Sequence, residues 1–397
     1  FIAYPILISL VMEQLIGMTD TAFMGRVGEV ELGASAIAGV YYMTFYMIAF
    51  GFSLGAQIIM GRRNGEGNYA KIGPIFYKGT YFLLGVALVL FVSSHFVSPL
   101  ILERFIDSPH VHEAAVSYIR WRVYGFFFSF VAVMFRAFFV GTTQTKTLTL
   151  NSIVMVLSNV VFNYILVFGK LGFPAMGIAG AAWSTFISQV CSFTILLFMD
   201  RKGENIRIHY RHFTPTPAYL KEIVYGGSPS LCRQGLASVS TILLNVAAGN
   251  FGDAAIAGMS IVTRICMFIN SFVIGFGQGF QPVCGFNYGA GLNRRVRQGF
   301  WYCVKVGVIF LAICSLIGYI YAPEVVSWFR KEDPQVIAVG AEALRWQLIT
   351  LPLGAWVILC NMLLQTIRQP RRAVILSSSR QGLFFIPLIL ILPYFLQ

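Results

Sequence analysis

Six stretches of the chain contain no Asp, Glu, Lys or Arg: Leu32–Gly61, Gly79–Leu102, Thr147–Gly169, Leu171–Met199, Ile265–Asn293 and Trp346–Ile367. Each is longer than the about 20 apolar residues that carry a helix across a bilayer. Backbone groups in lipid must be satisfied internally, which leaves helices or closed barrels. These runs are continuously apolar and lack the alternation of barrel strands, so they predict helices. Shorter apolar runs fill the intervals and bring the expected spans to eleven, centred near residues 12, 46, 88, 128, 157, 188, 236, 268, 310, 352 and 385.

The pattern repeats. At an offset of 224 residues Pro5 meets Pro229, Gly25 meets Gly249 and Gly28 meets Gly252, followed by Gly51/Gly275, Phe52/Phe276, Gly55/Gly279, Gln57/Gln281, Gly61/Gly285, Gly65/Gly289, Gly67/Gly291 and Pro99/Pro323. One inserted residue later come Pro109/Pro334, Arg120-Trp121/Arg345-Trp346 and Gln144/Gln369. The offset joins span one to span seven, which start on the same side. The halves are therefore parallel repeats, one of the two repeat arrangements of secondary transporters. Residues 1–213 form the expected first lobe with its linker, and 214–397 the second. Phe1 already lies in an apolar stretch, and the repeat calls for a sixth span after Gln397, so a twelve-helix whole is expected. The glycines four apart, Gly51/Gly55 and Gly275/Gly279, suit close helix packing or a bend. Pro5 and Pro229 each remove a backbone donor and are kink candidates.

Composition and charge agree with this reading. Hydrophobic residues make up 57% of the chain and charged residues 11%, against roughly 25% charged in soluble domains. The net charge of +13 could suggest nucleic acid, but the basic residues segregate by loop. One alternating set carries Arg62, Arg63, Lys71 and Lys78; Lys146; Arg201, Lys202, Arg207, Arg211 and Lys221; Arg294, Arg295 and Arg297; Arg368, Arg371 and Arg372. The other holds little beyond Arg26, Arg104, Lys170, Arg330 and Lys331. This is the positive-inside signature of a multi-pass protein; it places the first set in the cytoplasm and removes nucleic acid as a partner. The histidines of the polar stretch Asp200–Lys221, His209 and His212, read as solvated linker residues. The seven cysteines are scattered singly and form no disulfide framework or CxxC metal motif. No Walker loop, HExxH or GxSxG is present, so no enzyme or ATP-driven pump is expected.

Few polar groups lie at membrane depth, and these are the candidate chemistry. Asp20 sits about a turn and a half from the outer end of span one. An intramembrane carboxylate costs roughly 2.5–3.5 kcal/mol on insertion scales and usually faces a cavity or relay. Desolvation disfavours its charged form and makes it a proton acceptor, whereas a bound cation favours the ionised form. Asn159 and Asn163, four apart on span five and hence on one face, lie at a similar depth, as does Thr185 on span six. Together with Asp20 they suit a proton site or a Na+ site; singly they also suit interhelical hydrogen bonding. Glu13, seven residues before Asp20, is a second titrating group, a contact for a cationic substrate, or a structural residue. The second half repeats the tetrapeptide Arg233-Gln234-Gly235-Leu236 as Arg380-Gln381-Gly382-Leu383 on two spans of equal direction. These arginines and glutamines, with Gln57 and Gln281, are candidates for lining or gating a substrate cavity; the arginines can bind anionic groups or pair locally. Arg136 and Arg264 lie nearer span ends and are expected to snorkel.

The Asp20 motif, Asn159-xxx-Asn163 with Phe168-Gly169, the run Gly177-Ile178-Ala179-Gly180-Ala181-Ala182 and the segment QGFQPVCGFNYG over residues 278–289 resemble the MATE (multidrug and toxic compound extrusion) exporters over the whole chain. The last segment and RQGL are most similar to the MepA-like bacterial branch. The resemblance implies an all-α fold of twelve helices in two six-helix lobes in the bacterial inner membrane. It also implies a monomer with no cofactor beyond a coupling ion, exporting cationic drugs in exchange for H+ or Na+. Asp20, Asn159 and Thr185 then match polar members of the family's first-lobe cation site, and Asn163 stands where some members carry a second aspartate. Carboxylates found in the second lobe of some members have no counterpart: Ala237 and its neighbours stand there. Loss of the second aspartate favours H+ over Na+, because hard cations gain affinity from ligand charge. The rival reading is a lipid-linked oligosaccharide flippase of the same superfamily, to which Arg233 and Arg380 lend some support.

Overall fold

The computed structural model describes residues 3–103, 109–202, 218–249, 253–328 and 334–395. The linker histidines His209 and His212, and Arg104, Arg330, Lys331 and Gly252, lie outside them. The described residues form helices and no strand. The helices are α1 (Ala3–Val27), α2 (Glu29–Gly65), α3 (Ile72–Glu103), α4 (Pro109–Arg122), α5 (Gly125–Gly141), α6 (Lys146–Phe168), α7 (Gly177–Lys202), α8 (Ala218–Gly249), α9 (Asp253–Gly289), α10 (Asn293–Ile320), α11 (Ala322–Ser327), α12 (Pro334–Thr366), α13 (Pro370–Ser378) and α14 (Ile386–Phe395). A π-helical segment, Ser379–Phe385, joins the last two. Among the described residues nine helices are long and apolar enough to cross a membrane, and ten if α4 and α5, bent by 51° at their junction, form one span. Helix α8 is not among them: its first turns carry Lys221 and Glu222, and its middle Arg233 and Gln234.

The repeat reappears in the helix boundaries. Helices α2 and α9 are both 37 residues long and differ by 224 at each end. The paired halves also diverge: Pro109–Gly141 is broken into α4 and α5, whereas the corresponding Pro334–Thr366 is the continuous α12, and the continuous α3 corresponds to the separate α10 and α11.

The chain divides into two compact units, Phe1–Gly227 and Ser228–Gln397. The division lies inside α8, one residue before Pro229, rather than at residue 213 in the linker. The first turns of α8 are bound into unit 1 by backbone packing and by ion pairing. A Cβ on Gly55 of α2 would lie 2.2 Å from the Ile223 carbonyl oxygen and 2.6 Å from the Gly227 nitrogen, so the two backbones touch and only glycine fits. Nearby, Arg62 Nη2 donates to Glu222 Oε1 at 3.2 Å. Close packing, one of the two readings of these glycines, is the role Gly55 fills. In lipid the apolar effect gives helices little reason to associate, so dense packing and interhelical hydrogen bonds carry the load. Unit 1 accordingly holds a dense aromatic core with Phe126, Phe130, Phe138 and Phe139 fully buried and Tyr42 stacked on Phe126 at 4.7 Å. Unit 2 packs α9, α10 and α12 around Val262, Leu311, Leu344 and Leu348.

Candidate functional site

Helix α7 crosses α6 at backbone distance. A Cβ on Gly180 would lie 2.7 Å from the Leu166 carbonyl oxygen, so the absence of a side chain permits the crossing. The crossing brings the next turn of α7 against the middle of α6, where Ser184 Oγ donates to the Asn159 carbonyl at 2.9 Å. Thr185 then faces the amides of Asn159 and Asn163, and α1 delivers Asp20 to the same point.

The carboxylate meets three donors. Asp20 Oδ1 accepts from Asn163 Nδ2 at 2.7 Å and from Asn159 Nδ2 at 3.2 Å, and Oδ2 accepts from Thr185 Oγ1 at 3.1 Å. Asn163 Nδ2 also reaches Asn159 Oδ1 at 3.1 Å. Asn159 and Asn163 are 0% exposed and Thr185 1%, so these groups have exchanged water for each other. Asn163 Oδ1 is buried without a hydrogen-bond partner. It is an unsatisfied acceptor on a residue whose amide nitrogen already donates to Asp20.

Glu13 is elsewhere. Its Oε1 accepts from Arg136 Nη1 of α5. Arg136 therefore does not snorkel: its side chain is only 11% exposed, because Glu13 compensates its charge within the bundle. Arg264 is exposed. Gln57 is buried, its Nε2 without a partner. Gln281 is buried and donates to Gln365 Oε1 at 3.2 Å, while Gln365 Nε2 donates to Ser230 Oγ of α8 at 2.9 Å. Arg233 and Gln234 are partly buried on α8, and Arg380 is exposed on the π-helical segment; the side chain of Gln381 is outside the described set.

One residue escaped the sequence reading. Arg122 ends α4 with its guanidinium over the Tyr42 ring, 4.3 Å from the centroid, and its charge acts on Asp20. Its Nη1 is buried without a hydrogen-bond partner. Tyr42 in turn bonds Ser129 Oγ at 2.7 Å and accepts from Gln189 Nε2 at 3.2 Å, one turn beyond Thr185. Arg122 is the last residue of α4, at the 51° bend into α5, and an apolar run with a charge near its edge gives no warning of such a bend.

The MatE family profile matches twice, over residues 5–165 and 229–391. The chain belongs to the MatE family. The two matches cover most of the chain and fall on the two repeats. Among its relatives, the probable multidrug resistance protein YoeA of Bacillus subtilis is 27% identical over 83% of this chain and 72% of its own length. The multidrug export protein MepA of Staphylococcus haemolyticus is 23% identical over 98% of this chain and 85% of its own. A solved structure described as an outward-facing multidrug resistance MATE family transporter superposes with a TM-score of 0.90 at 20% identity, covering 98% of this chain and 86% of that one. This MatE-family chain is thus a multi-pass inner-membrane transporter, not an enzyme.

Proposed function

We propose that the chain is a secondary antiporter that exports cationic or amphiphilic drugs in exchange for H+, and that Asp20, Asn159, Asn163 and Thr185 bind the coupling ion. The observation that carries this reading is a single carboxylate held by neutral donors from two other helices, 139, 143 and 165 residues away in sequence. A proton changes the charge of such a group without adding ligands. Na+ would require the amides to turn their oxygens inward, and only one formal charge would hold it. Once Asp20 is neutralised, Arg122 loses its counter-charge, and the repulsion disfavours a cationic drug nearby. Ion binding and drug binding thus oppose each other, which is what exchange requires. Glu13 enters as the partner of Arg136. Gln57 and Gln281 act as buried amides whose rearrangement accompanies gating, together with Arg233, Gln234, Arg380 and Gln381.

The test is expression in a pump-deficient bacterium followed by accumulation of a cationic dye. Cells with the transporter should hold less dye than control cells while the ion gradient stands, and equal amounts once an ionophore collapses it. Equal accumulation with the gradient intact would sink the proposal.

A further inference from the structure

Unit 2 has a second polar feature, outside the ion-binding group around Asp20. The two copies of Arg-Gln-Gly-Leu meet. A Cβ on Gly382 would lie 3.5 Å from Leu236 Cδ2, so the π-helical segment packs on α8 one turn from Arg233. From that segment the Arg380 guanidinium reaches α12, its Nη2 3.8 Å from the Cβ position of Gly354. The charges of Arg233 and Arg380 act on each other. Arg233 Nε and Nη1 are both buried without a hydrogen-bond partner. The four ion pairs among the described residues all lie in unit 1, so neither arginine has a carboxylate partner there.

Two like charges with unmatched buried donors are an unfavourable arrangement by themselves. A buried guanidinium is normally paired, and unsatisfied donors on charged groups are among the costlier omissions. The planar five-donor fork matches an oxyanion. The segment that holds Arg380 is also π-helical, a form found mostly as short insertions at functional sites. Beside it Leu383 and Phe384 are exposed, so cationic and apolar surface adjoin.

We infer that Arg233 and Arg380 form a binding site for a phosphate-class oxyanion, each guanidinium donating to it across the α8 and π-helix contact. The site belongs to unit 2, and it stands or falls separately from ion coupling at Asp20. The oxyanion can come from an anionic lipid headgroup or from a soluble phosphate.

The purified transporter is titrated in neutral detergent with phosphatidylglycerol, phosphatidylcholine or inorganic phosphate, and retention of ligand and thermal stability are followed. Wild type should retain phosphatidylglycerol and gain stability from it in preference to phosphatidylcholine. Response to inorganic phosphate alone supports the same site with a soluble source. Arg380→Gln, at an exposed position tolerant of substitution, should weaken binding about tenfold or more, and Arg233→Gln likewise. Arg233→Lys should retain part of it, separating lost charge from lost folding. Two results would overturn the inference: equal binding by wild type and a folded Arg233→Gln/Arg380→Gln double variant, or no response of wild type to either anion.

Discussion

Asp20→Asn is expected to leave the protein folded in the membrane and to remove gradient-driven efflux. The substitution keeps the shape of the side chain and its place among Asn159, Asn163 and Thr185. What it removes is the charge and the capacity to take a proton. Three hydrogen bonds now end on the carboxylate, and hydrogen bonds to a charged group are worth about 1.5–3 kcal/mol each. An amide can accept through its oxygen alone, so one or two donors lose their partner, yet Glu13–Arg136 and the aromatic core hold α1 and the bundle in place. Efflux should fall at least about tenfold, to the background of cells without the transporter. Measuring membrane-inserted protein alongside dye efflux separates the two effects. Normal efflux by a folded Asp20→Asn protein would falsify the assignment of the coupling site.

Gly180→Val should do the opposite and destroy folding before function can be read. Its new Cβ would lie 2.7 Å from Leu166 O, 2.8 Å from Leu166 C and 3.0 Å from Val167 N, all of them backbone atoms in a helix. None can rotate away, so α7 must move off α6. Overpacking typically costs about 1–3 kcal/mol, occasionally more, and a clash with backbone belongs at the upper end. The displacement also separates Ser184 and Thr185 from Asn159, so the site opens even where the protein survives. Fluorescence-detected size-exclusion chromatography should show a large loss of monodisperse protein, with Gly180→Ala intermediate. A monodisperse peak of wild-type height for Gly180→Val would show that the crossing is looser than the backbone distances imply.

The features legible in the sequence share a cause: they are written as runs or offsets along the chain. Apolar runs marked most of the helices, and the 224-residue offset foretold that α2 and α9 would begin and end in register. Asp20, Asn159, Asn163 and Thr185 were legible because polar groups at equal depth in a bundle have few partners except each other. Glu13, which its spacing left open as a titrating group, a substrate contact or a structural residue, pairs with Arg136, 123 residues away, because spacing along one helix does not show which helix packs on that face. Arg122 depends on a helix break that no Pro marks. The boundary at Gly227 depends on the contact of Gly55 with α8, and a linker read from composition cannot reveal a contact that continues past it. At the fully buried Ala181 and Ala182 beside Gly180, and at Gly169, where a Cβ would lie 2.5 Å from Ala175 N, a quoted family motif and a packing requirement coincide.

Proteoliposomes loaded with a cationic dye test the central claim most directly. Wild-type protein and Asp20→Asn are compared under an imposed pH gradient at equal Na+, and under an imposed Na+ gradient at constant pH. The account predicts that the pH gradient drives dye movement by wild type, that the Na+ gradient does not, and that Asp20→Asn responds to neither. Transport by wild type under the Na+ gradient alone, or proton-driven transport undiminished in Asp20→Asn, would contradict it.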